Sequence, residues 1–238
     1  MAGRFPVVSE DRVRVQTNAS GVATVTMVRA DKHNALDQAM FEGLVNAAEQ
    51  LAGDTSVRAV VLHGDGKSFC SGLDVASFMS GQGGTGVLLR RDSDRLANFA
   101  QRVTYDWSLV PAPVIAAIHG NCFGGGLQIA LGADIRIAAP DAKLSIMEIK
   151  WGLVPDMGIT QTLPRLLPID VAKELRSPAA SSPGALRGPS DWSLETATIR
   201  WLRRWRSQKR SRRSLLTPSR RPSASTTRPG LVTTPQEL

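Results

Sequence analysis

The sequence predicts a mixed α/β fold made of repeated strand–strand–helix turns, and three observations carry that prediction. The apolar run Pro113–Ile118 reads as a buried strand, and beyond Gly124-Gly125-Gly126 the stretch Leu127–Leu131 reads as the start of a helix. A second apolar run, Val57–His63, is also followed by a bend, Ser68-Phe69-Cys70-Ser71-Gly72-Leu73-Asp74. Upstream, Val13-Arg14-Val15 and Val22–Met27 read as a hairpin turning at Asn18-Ala19-Ser20-Gly21.

In chain order, the hairpin comes first. Asp37 can then cap a helix that runs to about Leu51, with Met40, Leu44, Ala47 and Leu51 on its apolar face. The strand Arg58–His63 is next, and the rhythm continues through Ile115 and Ile135. The turns share too little sequence to declare a repeat unaided. The two strand-to-helix bends matter most for chemistry. Glycines at a helix N-terminus leave main-chain N–H groups bare where the helix dipole is positive. Such groups stabilise negative charge on an oxygen, and two bends can each supply one donor to one oxyanion.

The chain has 238 residues, enough for one sizeable core. Its formal charge of +8 is unevenly placed. Residues 176–238 hold thirteen Lys and Arg against three Asp and Glu, whereas the first 175 hold sixteen against eighteen. The basic character therefore belongs to the C-terminal part, and the mildly acidic remainder gives no reason to expect nucleic acid. Two cysteines, Cys70 and Cys122, suit a reducing compartment and read as small buried side chains. The stretch Met1–Arg12 has no apolar signal core, and no apolar run approaches a membrane-spanning length, so a cytoplasmic enzyme without a membrane span is expected. Three scattered histidines and two isolated cysteines show no metal-ligand spacing, and no metal is expected.

Two motif-like segments do not carry function. Gly64-Asp65-Gly66-Lys67-Ser68 resembles the end of a phosphate loop, but the earlier glycine such a loop needs falls at Val61, inside a strand. Gly81-Gln82-Gly83-Gly84-Thr85-Gly86 fits a dinucleotide pattern, yet no strand precedes it, and it reads as a flexible loop.

Phe69-Cys70-Ser71-Gly72-Leu73-Asp74, followed about fifty residues later by His119-Gly120 and Gly124-Gly125-Gly126, resembles the crotonase (enoyl-CoA hydratase/isomerase) superfamily. Arg29-Ala30-Asp31-Lys32-His33-Asn34-Ala35-Leu36 resembles that family's CoA-contacting loop. Ala133–Ala138 is similar to the next core strand, and Trp151–Gly158 to the loop that closes the site. The match runs in order from about Val13 to Leu175. It implies a spiral of repeated ββα turns over residues 1–175 and an acyl-CoA enzyme acting through a thioester enolate.

The resemblance also implies roles. The backbone N–H groups of Ser71 and Gly125 would form the oxyanion hole. Lys32, Ala35, Leu36, Gly72, Leu73, Asp74 and Gly124 would line the path of coenzyme A, which enters as part of the substrate rather than as a bound cofactor. Hydratases of the family use two glutamates twenty residues apart; here those positions hold Gln128 and Glu148. Gln128 is an amide and cannot carry a proton in acid–base catalysis, although it can hold a water or orient a carbonyl. Glu148 remains as the matched proton carrier. Asp156, eight residues on, stands where the dienoyl-CoA isomerase branch has an aspartate. Two acids in an apolar pocket can divide protonated and ionised roles. Double-bond isomerisation of enoyl- or dienoyl-CoA is thus favoured over hydration, with a catalytically weak acyl-CoA-binding protein as the alternative of another class.

After Leu175 the sequence changes character. Residues 176–238 hold seven of the fourteen prolines and lose apolar periodicity. The segments that build the family's homotrimer, or dimer of trimers, are missing there. Arg176–Pro183 can be encoded so that reading from each third base gives Phe-Thr-Gly-Arg-Val-Val-Ser, which contains the Thr-Gly-Arg the family has at this place. We take residues 176–238 as a frameshifted, disordered Arg/Ser/Pro-rich tail replacing the trimerisation helices. A basic tail that grips RNA or an acidic membrane is the alternative. Sequencing the locus tests the frameshift; an intact frame with unrelated codons would end it.

Overall fold

The computed structural model describes residues 12–79 and 85–175. The segment before Arg12, most of the Gly81–Gly86 loop and the tail from Arg176 lie outside the described residues, as do the expectations placed on them. The described residues all belong to one compact unit.

The hairpin forms as expected, from β1 (Val13–Thr17) and β2 (Val22–Met27), paired antiparallel with Val15 opposite Val25. The Asn18 side chain accepts from the Ser20 and Val22 amides, which closes the turn. Asp37 caps α1 (Gln38–Ala52) by accepting from the Met40 amide, a contact worth about 1 kcal/mol. Met40, Leu44, Ala47 and Leu51 are all buried, together with Phe41, Val45 and Ala48. Next come β3 (Ala59–Gly64), the short α2 (Val75–Met79) and α3 (Thr85–Leu89), and α4 (Phe99–Tyr105). Asn98 and Gln101 form a reciprocal capping box at the start of α4.

The chain continues through β4 (Val114–Ile118), β5 (Asn121–Phe123), α5 (Gly125–Gly132), β6 (Ile135–Ala138) and β7 (Lys143–Ser145). A 3₁₀ turn (Glu148–Trp151), α6 (Ile159–Thr162) and α7 (Ile169–Leu175) complete the described part. The large sheet has the order β1-β2-β3-β4-β6, and every neighbour after the hairpin is parallel. A second row of short parallel pairings runs beside it: Leu36 with Leu73, Cys70 with Cys122, and β5 with β7. Each turn of the chain thus gives one strand to the large sheet, one short extended segment to the second row, and then a helix. This is the ββα spiral the sequence predicts. The second row is not visible in the sequence, because three-residue strands are too short to show a period.

The core lies between the sheet and α1, α4 and α5, with Phe41, Phe69, Trp107, Leu62 and Ile129 buried in it. Buried Arg102 donates through Nε to Asp106 and also pairs with Glu49, which ties α4 to α1. Burial pushes the Asp106 carboxyl up despite the Arg102 charge beside it.

One buried amide fastens the loop after β2 to the bend after β3. Asn34 is fully buried with φ +54. Its Nδ2 donates to the carbonyls of Asp65, Ser68 and Phe69, and its Oδ1 accepts from the Arg29 amide. Asn34→Ala leaves several main-chain groups unpaired and puts a worse residue in the left-handed region. The expected loss is about 3 kcal/mol, read as a lower urea midpoint with an unchanged m value. An unchanged midpoint would refute this role.

Candidate active site

The two bends meet. Gly72 has φ +92, and a Cβ added there would lie 2.9 Å from the Phe123 carbonyl oxygen and 3.6 Å from the Gly125 nitrogen. Cys70 donates to the Asn121 carbonyl and accepts from the Phe123 amide, so the bend after β3 is laced to β5. A Cβ at Gly126 would come within 2.5 Å of the Cys70 carbonyl oxygen. The glycine run thus serves close packing, and it also opens α5 with bare amides. Gly124 takes φ +51 as the N-cap and offers no side-chain cap, and the Gly125 N–H has no hydrogen-bond partner among the described residues.

The donor on the other bend needs correction. The Ser71 N–H, expected in the oxyanion hole, is already spent: it donates to the His33 carbonyl at 2.9 Å. Past Gly72 the chain pairs with Leu36: the Leu36 amide donates to the Gly72 carbonyl, and the Asp74 amide to the Leu36 carbonyl. Alternation along an extended segment turns the intervening Leu73 N–H to the opposite side, where it has no partner among the described residues. The open amides of the two bends are therefore those of Leu73 and Gly125.

Glu148 begins the 3₁₀ turn after β7. Its carboxylate lies against the α5 N-terminus, where a Cβ added at Gly124 would be 3.3 Å from Oε1. Gln128, on α5 and 1% exposed, donates from Nε2 to Glu148 Oε1 at 2.6 Å. Gln128 Oε1 and Glu148 Oε2 are buried and have no hydrogen-bond partner among the described residues. Burial pushes the Glu148 carboxyl above the usual glutamate range, and the negative charge of Asp156 adds to that. Gln128 and Glu148 are thus brought together in a direct hydrogen bond. Asp156 is exposed on its loop and reaches Glu148 through charge alone.

The residues expected along the CoA path divide. Ala35 and Leu36 are buried, and Leu36 Cδ1 would lie 2.8 Å from a Cβ at Gly125. Leu36 with Met157 therefore forms an apolar wall beside the Gly125 amide. Lys32 is exposed on the 3₁₀ turn Ala30–Lys32. Asp74 is committed elsewhere: its carboxylate pairs with Arg29 at 2.8 Å and accepts from the Ser77 amide. Both cysteines are buried, and burial pushes the Cys70 thiol up to about 12 and Cys122 up as well. Thiols held in that state are poor nucleophiles. Among the described residues no cluster of His, Cys, Asp and Glu could hold a metal, and no helix is long and apolar enough to cross a membrane.

A spiral α/β core with an open main-chain amide on each of two touching bends, and a half-buried carboxyl of raised pKa nearby, is a site suited to polarising a carbonyl and moving a proton. The chain belongs to the enoyl-CoA hydratase/isomerase family, whose model matches residues 17–184, and so to the crotonase superfamily. It is 39% identical over 142 residues to a probable enoyl-CoA hydratase of Bacillus subtilis, covering 60% of this chain and 53% of that protein. It is 33% identical over 167 residues to the mouse mitochondrial Delta(3,5)-Delta(2,4)-dienoyl-CoA isomerase, covering 66% and 49%. Among solved structures, an enoyl-CoA hydratase/isomerase described as putative from Mycobacterium abscessus superposes with a TM-score of 0.59 at 34% identity, covering 68% of this chain and 62% of that one. The chain spans about half the length of the curated relatives it matches.

Proposed function

We propose that this chain binds an enoyl-CoA thioester and shifts its double bond through an enolate. The open amides of Leu73 and Gly125 receive the thioester oxygen, and Glu148 moves the proton. The observation that carries this reading is the half-buried Glu148 beside the open amides of the two bends. Each such donor, acting on developing negative charge, is worth about 3 kcal/mol. Gln128 cannot accept the proton, so its amide orients the Glu148 carboxyl. Asp156 tunes Glu148 by charge and is placed to exchange protons with solvent. Lys32 meets the CoA phosphates, and Leu36 with Gly124 borders the pantetheine.

Hydration is the second reading, favoured by the two unspent buried acceptors, Gln128 Oε1 and Glu148 Oε2. One water has two hydrogens and could satisfy both. A panel of 3-enoyl, dienoyl and 2-enoyl CoA esters separates the readings. Bond migration in the first two supports isomerisation, and water addition to the third supports hydration. Binding of the esters without either reaction would leave an acyl-CoA-binding protein and overturn the enzymatic proposal.

A further inference from the structure

Arg29 lies just before the 3₁₀ turn, and its side chain is 11% exposed. Its guanidinium reaches three acceptors: the Ala35 carbonyl at 2.9 Å, the Asp37 carboxylate at 3.4 Å and the Asp74 carboxylate at 2.8 Å. Asp37 caps α1, and Asp74 accepts from the Ser77 amide at the start of α2. Arg12 places a second cation on Asp37 at 3.0 Å. Arg29 therefore joins the starts of the two helices that come after Leu36 and Leu73, the residues paired across the second row. The three contacts use three different nitrogens of the guanidinium, whose rigid fork spreads its donors toward separate acceptors in a way a single ammonium point cannot.

The clamp sits where the main chain needs one. Gly72 precedes the open Leu73 amide and has φ +92, a conformation that a glycine enters and leaves freely. The Gly72 carbonyl shares a peptide group with the Leu73 N–H and accepts from the Leu36 amide, so the direction of that N–H is held on the Leu36 side and, beyond it, at Asp74. Asp74 is the next residue, and Arg29 holds its side chain. Burial alone would raise the Asp74 carboxyl; the Ser77 hydrogen bonds and the Arg29 charge outweigh it and hold the group below the ordinary aspartate range.

We propose that Arg29, acting through Asp74, is a positioning residue that aims the Leu73 amide into the site. Asp74 is thereby a tether for the main chain and not a ligand of coenzyme A. This inference rests on the proposed oxyanion role of Leu73 and Gly125.

The test is spectroscopic and uses the full chain with a para-aminocinnamoyl thioester of coenzyme A, whose absorption moves to the red when its carbonyl is polarised. The unsubstituted protein should shift the band; no shift at saturation would sink the oxyanion reading itself. Arg29→Met and Asp74→Asn should each bind the thioester yet lose most of the shift. Asparagine keeps an oxygen for the Ser77 amide, so Asp74→Asn preserves the start of α2 even where Arg29→Met fails to fold. Arg29→Lys, which keeps the charge but not the fork, should fall between. Turnover should drop about 100-fold in Arg29→Met with KM little changed, as expected for a donor misplaced by about 1 Å. A merely structural clamp would lower thermal stability and leave the full red shift in the folded protein. That result in Asp74→Asn would overturn the inference.

Discussion

Glu148→Gln is expected to lower turnover about 1000-fold while leaving affinity for the CoA thioester within a few-fold of the original protein. The substitution is close to isosteric, and the contact from Gln128 Nε2 can persist because an amide oxygen still accepts. The group lost is the half-buried carboxyl that lies against the open start of α5. The pH profile gives a second reading of the same group. Burial, with Asp156 adding to it, raises the Glu148 pKa, so the acid limb of kcat/KM should sit above the ordinary glutamate range. Stability responds in the opposite sense to that of a paired surface carboxylate. A carboxyl whose folded pKa is raised favours folding most below its unfolded pKa, and that contribution is lost as pH rises through the folded value. Glu148→Gln removes this dependence, so the variant should lose less stability than the original between mildly acidic and neutral pH. Full activity in the variant would mean that another group carries the proton.

Gly126→Ala is expected to be the most damaging single methyl in the site. The added Cβ would lie 2.5 Å from the Cys70 carbonyl oxygen, 2.7 Å from Cys70 Cβ and 2.9 Å from its sulfur. Alanine is intrinsically better than glycine in a helix by about 1 kcal/mol. Here that preference is outweighed, because the neighbour is backbone whose carbonyl already accepts from the Phe123 amide. Relief requires the two bends to move apart, at a net cost of about 3 kcal/mol. Activity should fall further than stability, because the same movement separates the Leu73 and Gly125 amides. Chemical unfolding and turnover measured on one preparation test both parts. Wild-type values for each would show that the bends do not depend on this contact.

Much of the framework was legible in the sequence. The hairpin and α1 announce themselves by period, turn residues and the Asp37 cap, and they form where expected. The glycine run marks the start of α5, and the separation of Gln128 from Glu148 becomes a direct hydrogen bond once the turns stack. Three features were not legible. β5 and β7 are three residues each, and their pairing depends on the stacking of turns distant in sequence. Whether the Ser71 or the Leu73 amide faces the site is decided by the positive φ of Gly72, which residue types do not reveal. The commitment of Asp74 to Arg29 crosses more than forty residues and emerges only when the two loops meet. Asp156 is a matter of degree: it acts on Glu148 by charge but stays exposed, so its proximity in sequence overstated its contact.

The most direct test of the main-chain donor pair is a crystal structure of the protein with a non-reactive thioester analogue of an enoyl-CoA. The account predicts the carbonyl oxygen within about 3 Å of both the Leu73 and Gly125 nitrogens, with the Glu148 carboxyl facing the acyl chain. An oxygen that touches neither amide, or that is held by the Ser71 amide after release from the His33 carbonyl, would contradict it.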